Sequence, residues 1–209
     1  MRIYEVRGRR RRGLLPGLVA VLAVLAVAAL FYLVADKRVV IPGLSTRIFS
    51  IEYQEDIARV ARTYDIDPYL VAAVARTESG FDPAAVSPAG AVGMMQLMPE
   101  TAEWIVGLDR WQGADDPVLT DPRDSLELGA CYLAFLNERF ADDERAAVAA
   151  YNAGQGVVAR WVSEAGGGGL SLDDIVYPET RTFVERVEEW LKFYQKAHPE
   201  AFGMRGLRT

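Results

Sequence analysis

The sequence predicts an all-α body behind one apolar N-terminal helix, and three observations carry that expectation. Helix-start signals recur along residues 50–198, no alternating strand run or internal repeat accompanies them, and residues 14–35 are uncharged. With 209 residues, 51% apolar and 25% charged, the chain is long enough for one well-buried domain and an appendage.

The first 13 residues hold Arg2, Arg7, Arg9, Arg10, Arg11 and Arg12 against Glu5, a local balance of +5. The formal charge of −6 therefore leaves −11 for the rest. An acidic body argues against nucleic acid as a partner, although the arginine cluster taken alone could be a nucleic-acid arm. The adjoining apolar run favours a membrane instead. Leu14 to Ala35 is a stretch of 22 residues rich in Leu, Val and Ala, and at about 1.5 Å per residue a helix of this length spans a hydrocarbon core of roughly 30 Å. The arginines outweigh Asp36-Lys37-Arg38 on the far side, so the N-terminus is expected in the cytoplasm and residues 36–209 outside the cytoplasmic membrane. A cleaved signal peptide is the alternative, with Leu33-Val34-Ala35 a poor cleavage site. The expected division is a basic segment 1–13, an anchor 14–35, a linker 36–49, a catalytic domain 50–198 and a tail 199–209.

Within the body, Ser50 is the expected cap of a helix that carries Ile51, Ile57, Val60 and Ala61 to Thr63. Asp67-Pro68 starts Tyr69–Glu78, Pro99 opens Glu100–Val106, and Asp121-Pro122 opens a segment to about Phe140. Asp142 is expected to cap Asp143–Ala153, stopped by Gly154. A short helix comes next at Gly156–Glu164, then four glycines at 166–169. Pro178 introduces a last helix with the stripe Phe183, Val184, Val187, Leu191 and Tyr194.

Several chemistries are poorly supplied. Cys131 is the one cysteine, so no intrachain disulfide can form, and it sits in the apolar pattern Leu128, Cys131, Tyr132, Phe135. His198 is the one histidine, with Pro199 beside it, and is expected as a surface or capping residue. No metal-ligand spacing, cofactor motif or Gly-x-Ser-x-Gly elbow is present. Carboxylates, hydroxyls and amides remain. Glu78 falls at i+7 from Val71 and i+4 from Val74, so it continues an apolar stripe, an odd place for a charge. Two accounts are open: a structural Glu paired with Arg76 or another cation, or a general acid kept neutral by burial.

The residues around and beyond Glu78 are recognisable. Glu78-Ser79, Pro83, Ser87, Gly93-Met94-Met95-Gln96-Leu97-Met98-Pro99 and Thr101-Ala102, then Ala150-Tyr151-Asn152-Ala153-Gly154 and Tyr177-Pro178-Glu179-Thr180-Arg181, resemble the lytic transglycosylase family. The resemblance is to the soluble-lytic-transglycosylase-like catalytic domain, over about 130 residues in the family's order. It implies a lysozyme-like fold of goose-type kind and cleavage of the β-1,4 bond between N-acetylmuramic acid and N-acetylglucosamine, leaving a 1,6-anhydromuramyl end. Glu78 would be the one acid/base, first protonating the glycosidic oxygen, then taking the proton of the muramyl C6 hydroxyl as it attacks C1. An intramolecular nucleophile removes the need for the second carboxylate most glycoside hydrolases use, and near Glu78 only Asp82 stands in the next turn. The resemblance further implies that Ser87, Gln96, Tyr151, Asn152 and Glu179 bind substrate or the carboxylate. Each has a plainer account: turn serine, buried amide, helix stop or helix cap. Phe183 stands where the family usually has Tyr, and Tyr177 is a candidate for that role.

Glycan strands of peptidoglycan and the membrane are the implied partners, and no cofactor is implied. Trp104, Trp111, Trp161 and Trp190 are possible sugar platforms, with core packing the commoner fate. A water-using muramidase of goose-type lysozyme kind and a non-catalytic glycan-binding envelope module remain alternatives.

Overall fold

Eight α-helices and one short 3-10 turn make up the described residues of the computed structural model, which are 15–35, 49–141, 143–166 and 168–203. In chain order these are α1 (Leu15–Ala35), α2 (Gln54–Tyr64), α3 (Pro68–Glu78), α4 (Pro99–Val106), α5 (Pro122–Arg139), α6 (Glu144–Ala153), α7 (Gln155–Glu164), the turn Leu172–Asp174 and α8 (Pro178–Ala197). No strand forms among the described residues; two isolated antiparallel bridges, Val86 with Val92 and Val92 with Leu97, brace the loop after α3. The expected basic segment, the linker except Phe49, and most of the tail lie outside the described residues.

Helix α1 contains no Asp, Glu, Lys or Arg along its 21 residues. Its side chains are described only at 22–30, 32 and 33. Among the described residues no helix is long and apolar enough to cross a membrane.

The caps explain most helix boundaries. Asp67 accepts a hydrogen bond from the Tyr69 amide at 2.8 Å with Pro68 at the first helical position, and Asp121 does the same for Arg123 and Asp124 ahead of Pro122. Two expected caps are corrected. The first body helix starts at Gln54 behind Tyr53, which takes left-handed backbone angles, and Ser50 precedes it by several residues. The reason is that Ile51 is drawn into the core and Gln54 Nε2 donates back to the Ile51 carbonyl at 3.1 Å, turning the chain before a helix can begin. Likewise Asp143, rather than Asp142, caps α6 by accepting from the Ala146 amide; Asp143 also accepts from the Leu170 amide at 2.7 Å, so one carboxylate serves two segments.

Helix α3 is the centre of the body. Pro68 to Ala75 are all buried, and α3 packs against α8, α2 and α5. A helix apolar on every side must be surrounded, and Ala72, Ala73 and Ala75 let its neighbours come close. Burial of each Val or Leu here contributes about 1.5–3 kcal/mol. Helix α6 repeats the device, with Ala146, Ala147, Ala149 and Ala150 buried between α5, α7 and α8.

The loop between α3 and α4 is held by those helices. Ser79 Oγ donates to the Met94 carbonyl at 2.8 Å. The Met95 amide donates to Ser125 Oγ at 3.1 Å, and Tyr151 Oη donates to the Met95 carbonyl at 2.8 Å. Met94 and Met95 are fully buried, so these hydroxyls satisfy backbone groups that water cannot reach. Gly93 has φ of 82°, and a Cβ there would stand 1.9 Å from the Leu119 carbonyl oxygen.

Substitutions at two glycines should move stability in opposite directions. Gly93→Ala collides with backbone and occupies a left-handed conformation, so denaturant unfolding should show a loss of about 3 kcal/mol or more; Gly156→Ala on α7, where a Cβ meets nothing within 4 Å, should gain up to about 1 kcal/mol. Tyr151→Phe leaves the Met95 carbonyl without its donor and should cost about 1–3 kcal/mol in the same assay.

Candidate active site

The C-terminus of α3 delivers Glu78 to a cleft of about 620 Å³ lined by residues from five further parts of the chain. Ser87, Ala91, Gln96 and Met98 come from the loop before α4, Thr101 from α4, Tyr132 from α5, and Tyr151 and Asn152 from the end of α6; Glu179 completes the lining from the first turn of α8. Glu78, Ser87, Gln96, Tyr151, Asn152 and Glu179 therefore meet in one cavity. Tyr177 does not line it: its ring is half exposed and packs edge-on against Trp161, centroids 5.1 Å apart. A larger depression, about 990 Å³, lies around Asp143, Arg145, Leu170 and Glu188. Its Arg145–Glu188 ion pair at 2.6 Å already satisfies the central charges, and it contains none of the expected site residues.

Burial is the cause of Glu78's state. Desolvation pushes its pKa up to about 8, so the carboxyl holds its proton at neutral pH. Arg76 is not its partner. The guanidinium lies over the rings of Trp190 and Phe81, at 5.1 and 6.0 Å, and among the described residues no ion pair to Glu78 occurs. The ion-paired account of Glu78 thus finds no partner among the described residues, and burial is the cause of its raised pKa.

The other side chains are held by the fold, each in a way that decides which end is offered to the cavity. Ser87 Oγ accepts from the Ala91 amide at 3.0 Å, while its carbonyl accepts from the Gly90 amide; this turn serine also lines the cleft. Gln96 has φ of 48°, strained for a non-glycine residue. Its Nε2 donates to the carbonyls of Ala85 and Gly93 at 3.1 and 2.9 Å, which locks the loop and leaves the amide oxygen as its acceptor. Its donors meet backbone where sugar groups had been expected. Asn152 Oδ1 accepts from Thr180 Oγ1 at 2.7 Å, so its amide N–H groups are the end available to a ligand. Tyr151 is buried with its proton on the Met95 carbonyl. Burial, with the Glu78 charge next in importance, drives its pKa well above the usual phenol value, so it stays neutral.

Sequence reasoning did not single out Tyr132 or Thr101 as cleft residues, nor Ser125 as the buried hydroxyl that accepts from the Met95 amide. Tyr132 is a lining residue in mid-α5 whose ring tilts against Tyr151 at 5.3 Å; in sequence it was one more member of an apolar stripe. A phenol inside such a stripe needs a polar neighbour or an opening, and that was the available signal. Of the carboxylates, Glu179 is exposed and lines the cleft. Asp82 instead caps the turn after α3, accepting from the Ala84 amide at 2.9 Å.

A family model described as the transglycosylase SLT domain matches residues 55–171. The soluble lytic murein transglycosylase of Salmonella typhimurium is 32% identical over 153 residues, which are 70% of this chain and 23% of that protein. Membrane-bound lytic murein transglycosylase C of Edwardsiella ictaluri is 28% identical over 168 residues, 69% of this chain and 47% of that one. Among solved structures, the soluble lytic transglycosylase of Escherichia coli matches with a TM-score of 0.66 at 31% identity, covering 72% of this chain and 25% of its own. The Slt lytic transglycosylase of Pseudomonas aeruginosa matches with a TM-score of 0.62 at 30% identity, covering 71% and 25%. This chain thus spans about a quarter of the length of its soluble relatives. With the family model covering more than half of its residues, the chain belongs to the transglycosylase SLT domain family.

Proposed function

We propose that this chain is a membrane-anchored peptidoglycan lytic transglycosylase that breaks the MurNAc–GlcNAc β-1,4 bond and leaves 1,6-anhydromuramyl ends. The observation that carries the reading is a carboxylic acid, Glu78, kept protonated near neutral pH by burial in a cleft whose other lining, apart from the exposed Glu179, is hydroxyl, amide and apolar groups. Such an acid can donate to a leaving glycosidic oxygen. The C–O bond breaks toward the departing sugar, and positive charge develops at the muramyl C1. Glu78, now a carboxylate, removes the proton of the C6 hydroxyl as that oxygen bonds to C1, which restores the acid. No water is consumed. Ser87, the Gln96 oxygen, the Asn152 amide and Glu179 bind the sugars on either side, and Tyr151 holds the loop carrying Gln96.

The second reading, a hydrolytic muramidase, draws on Glu179, the other carboxylate lining the cleft; acting as a base on water it would yield reducing ends. Its exposed position at the mouth favours substrate binding instead. The alternative of a silent glycan-binding module is disfavoured by the raised pKa of Glu78, which binding alone does not need.

The anchor belongs to the same proposal. Residues 1–13 lie in the cytoplasm, 14–35 span the membrane and 36–49 link it to a catalytic domain at 50–198 that faces the peptidoglycan, with 199–209 as a tail. The uncharged helix Leu15–Ala35 and the membrane-bound relatives support it. The full chain should remain in the membrane pellet after alkaline carbonate extraction, and removal of residues 1–35 should release it; recovery of the full chain in the supernatant would overturn the anchor.

Mass spectrometry of digested peptidoglycan decides the chemistry. Anhydromuramyl ends are expected, and reducing muramyl ends alone would establish hydrolysis. Glu78→Gln should lower turnover by at least about 100-fold, whereas Glu179→Gln should act mainly on KM. The rate should fall as pH rises through about 8, where Glu78 loses its proton. The same titration affects stability. The unfolded carboxyl titrates near about 4.3, so between that pH and 8 the folded state holds the extra proton and stability declines as pH rises. The Tm of Glu78→Gln relative to the parent should therefore climb steadily between those two pH values.

A further inference from the structure

The four tryptophans have different fates. Trp161 is buried, Trp111 and Trp190 pack against the core, and Trp104 alone among them is 40% exposed. Trp104 stands on α4 three residues beyond Thr101, a cleft residue. Residues at i and i+3 share a helix face, and the displacement along the axis is about 4.5 Å, the length scale of one pyranose ring. Its ring is not loose. Tyr132, itself a cleft residue, holds it edge-to-face at 5.9 Å, and Phe135 does so at 5.0 Å. Two aromatic neighbours thus fix the indole in one orientation while much of it stays in water.

Leaving that much of a large apolar ring exposed forgoes burial energy that a polar residue would not sacrifice. The carbon-bound hydrogens on one face of a pyranose make a flat apolar surface. A pre-oriented indole beside a sugar-sized cleft matches that surface with little ordering cost. We propose that Trp104 is a stacking platform for a sugar ring of the glycan strand, one position beyond the cleft at its Met98–Thr101 end. The occupant is a further sugar of the strand already seated at Glu78, so the proposal rests on the glycan-cleaving reading of the cleft. Its consequence is a preference for longer strands, because a fragment confined to the cleft would not reach Trp104.

The test uses the full chain in detergent with Glu78→Gln as background, so that nothing is turned over, and β-1,4-linked N-acetylglucosamine oligomers from dimer to hexamer as probes. Calorimetry should show affinity rising with length in the background protein. Trp104→Ala should weaken the longest oligomers by about tenfold and leave the shortest unchanged. Trp104→Phe should keep most of the gain from length, and it also serves as the better folded variant if Trp104→Ala loosens α4 from α5. Affinities in Trp104→Ala that match the background protein at every length would overturn the platform. So would a uniform loss across all lengths, which would mean that the indole only props Tyr132. An absence of binding by the background protein at any length would instead refute the glycan reading of the cleft, and the platform with it.

Discussion

The buried backbone of Met94 and Met95 is the constraint on which the rest of the site depends. Three peptide groups in this loop are shut away from water and take their partners from side-chain hydroxyls on three different parts of the helical body: Ser79 after α3, Ser125 on α5 and Tyr151 on α6. An unpaired peptide group there would cost more than a hydrogen bond gains. The loop therefore has one low-energy seat, and that seat also determines where the helix ends lie. Gly93 and Gly129 make the seat accessible: a Cβ on Gly129 would come within 2.4 Å of the Met95 side chain. The methionine run is a structural plug whose outer edge, Gln96 and Met98, becomes cleft wall.

Around that plug the chemistry is set by desolvation. Glu78 sits where the apolar stripe of α3 runs into the cleft, with no cation beside it among the described residues, and its proton is retained because no charge repays the loss of water. Two neighbouring phenols, Tyr132 and Tyr151, are also pushed up by burial, so the inner wall is neutral at physiological pH. Polarity in the cleft increases toward Asn152 and Glu179 at the mouth. A neutral inner wall with an acid in it suits bond protonation better than charge binding.

Much of the fold was legible because its determinants are local. Asp67-Pro68 and Asp121-Pro122 specify caps within three residues, and the stripe on α8 contains its own periodicity. The Ser50 cap failed for a tertiary reason: Ile51 has a place in the core, and the chain turns to reach it. In the cleft, Glu78, Ser87, Gln96, Tyr151, Asn152 and Glu179 could be named in advance because their sequence blocks resemble a known family. Tyr132 could not, nor could Ser125 be named as the partner of the Met95 amide, since each lies within a helix and owes its role to what faces it. Tyr177 shows the converse, a motif residue that the packing of Trp161 keeps out of the cleft.

The sequence by itself determined the all-α class, most helix starts, the uncharged N-terminal run and the anomaly of a carboxyl continuing the α3 stripe; caps and periodicities act within one or two turns and need no folded partner. Only the tertiary structure decided that Arg76 turns away to Trp190 and Phe81, that Gln96 spends its donors on backbone, and which tryptophan faces water. Those outcomes depend on groups tens of residues apart being desolvated together, and desolvation is a property of the assembled body, which no local stretch of chain possesses.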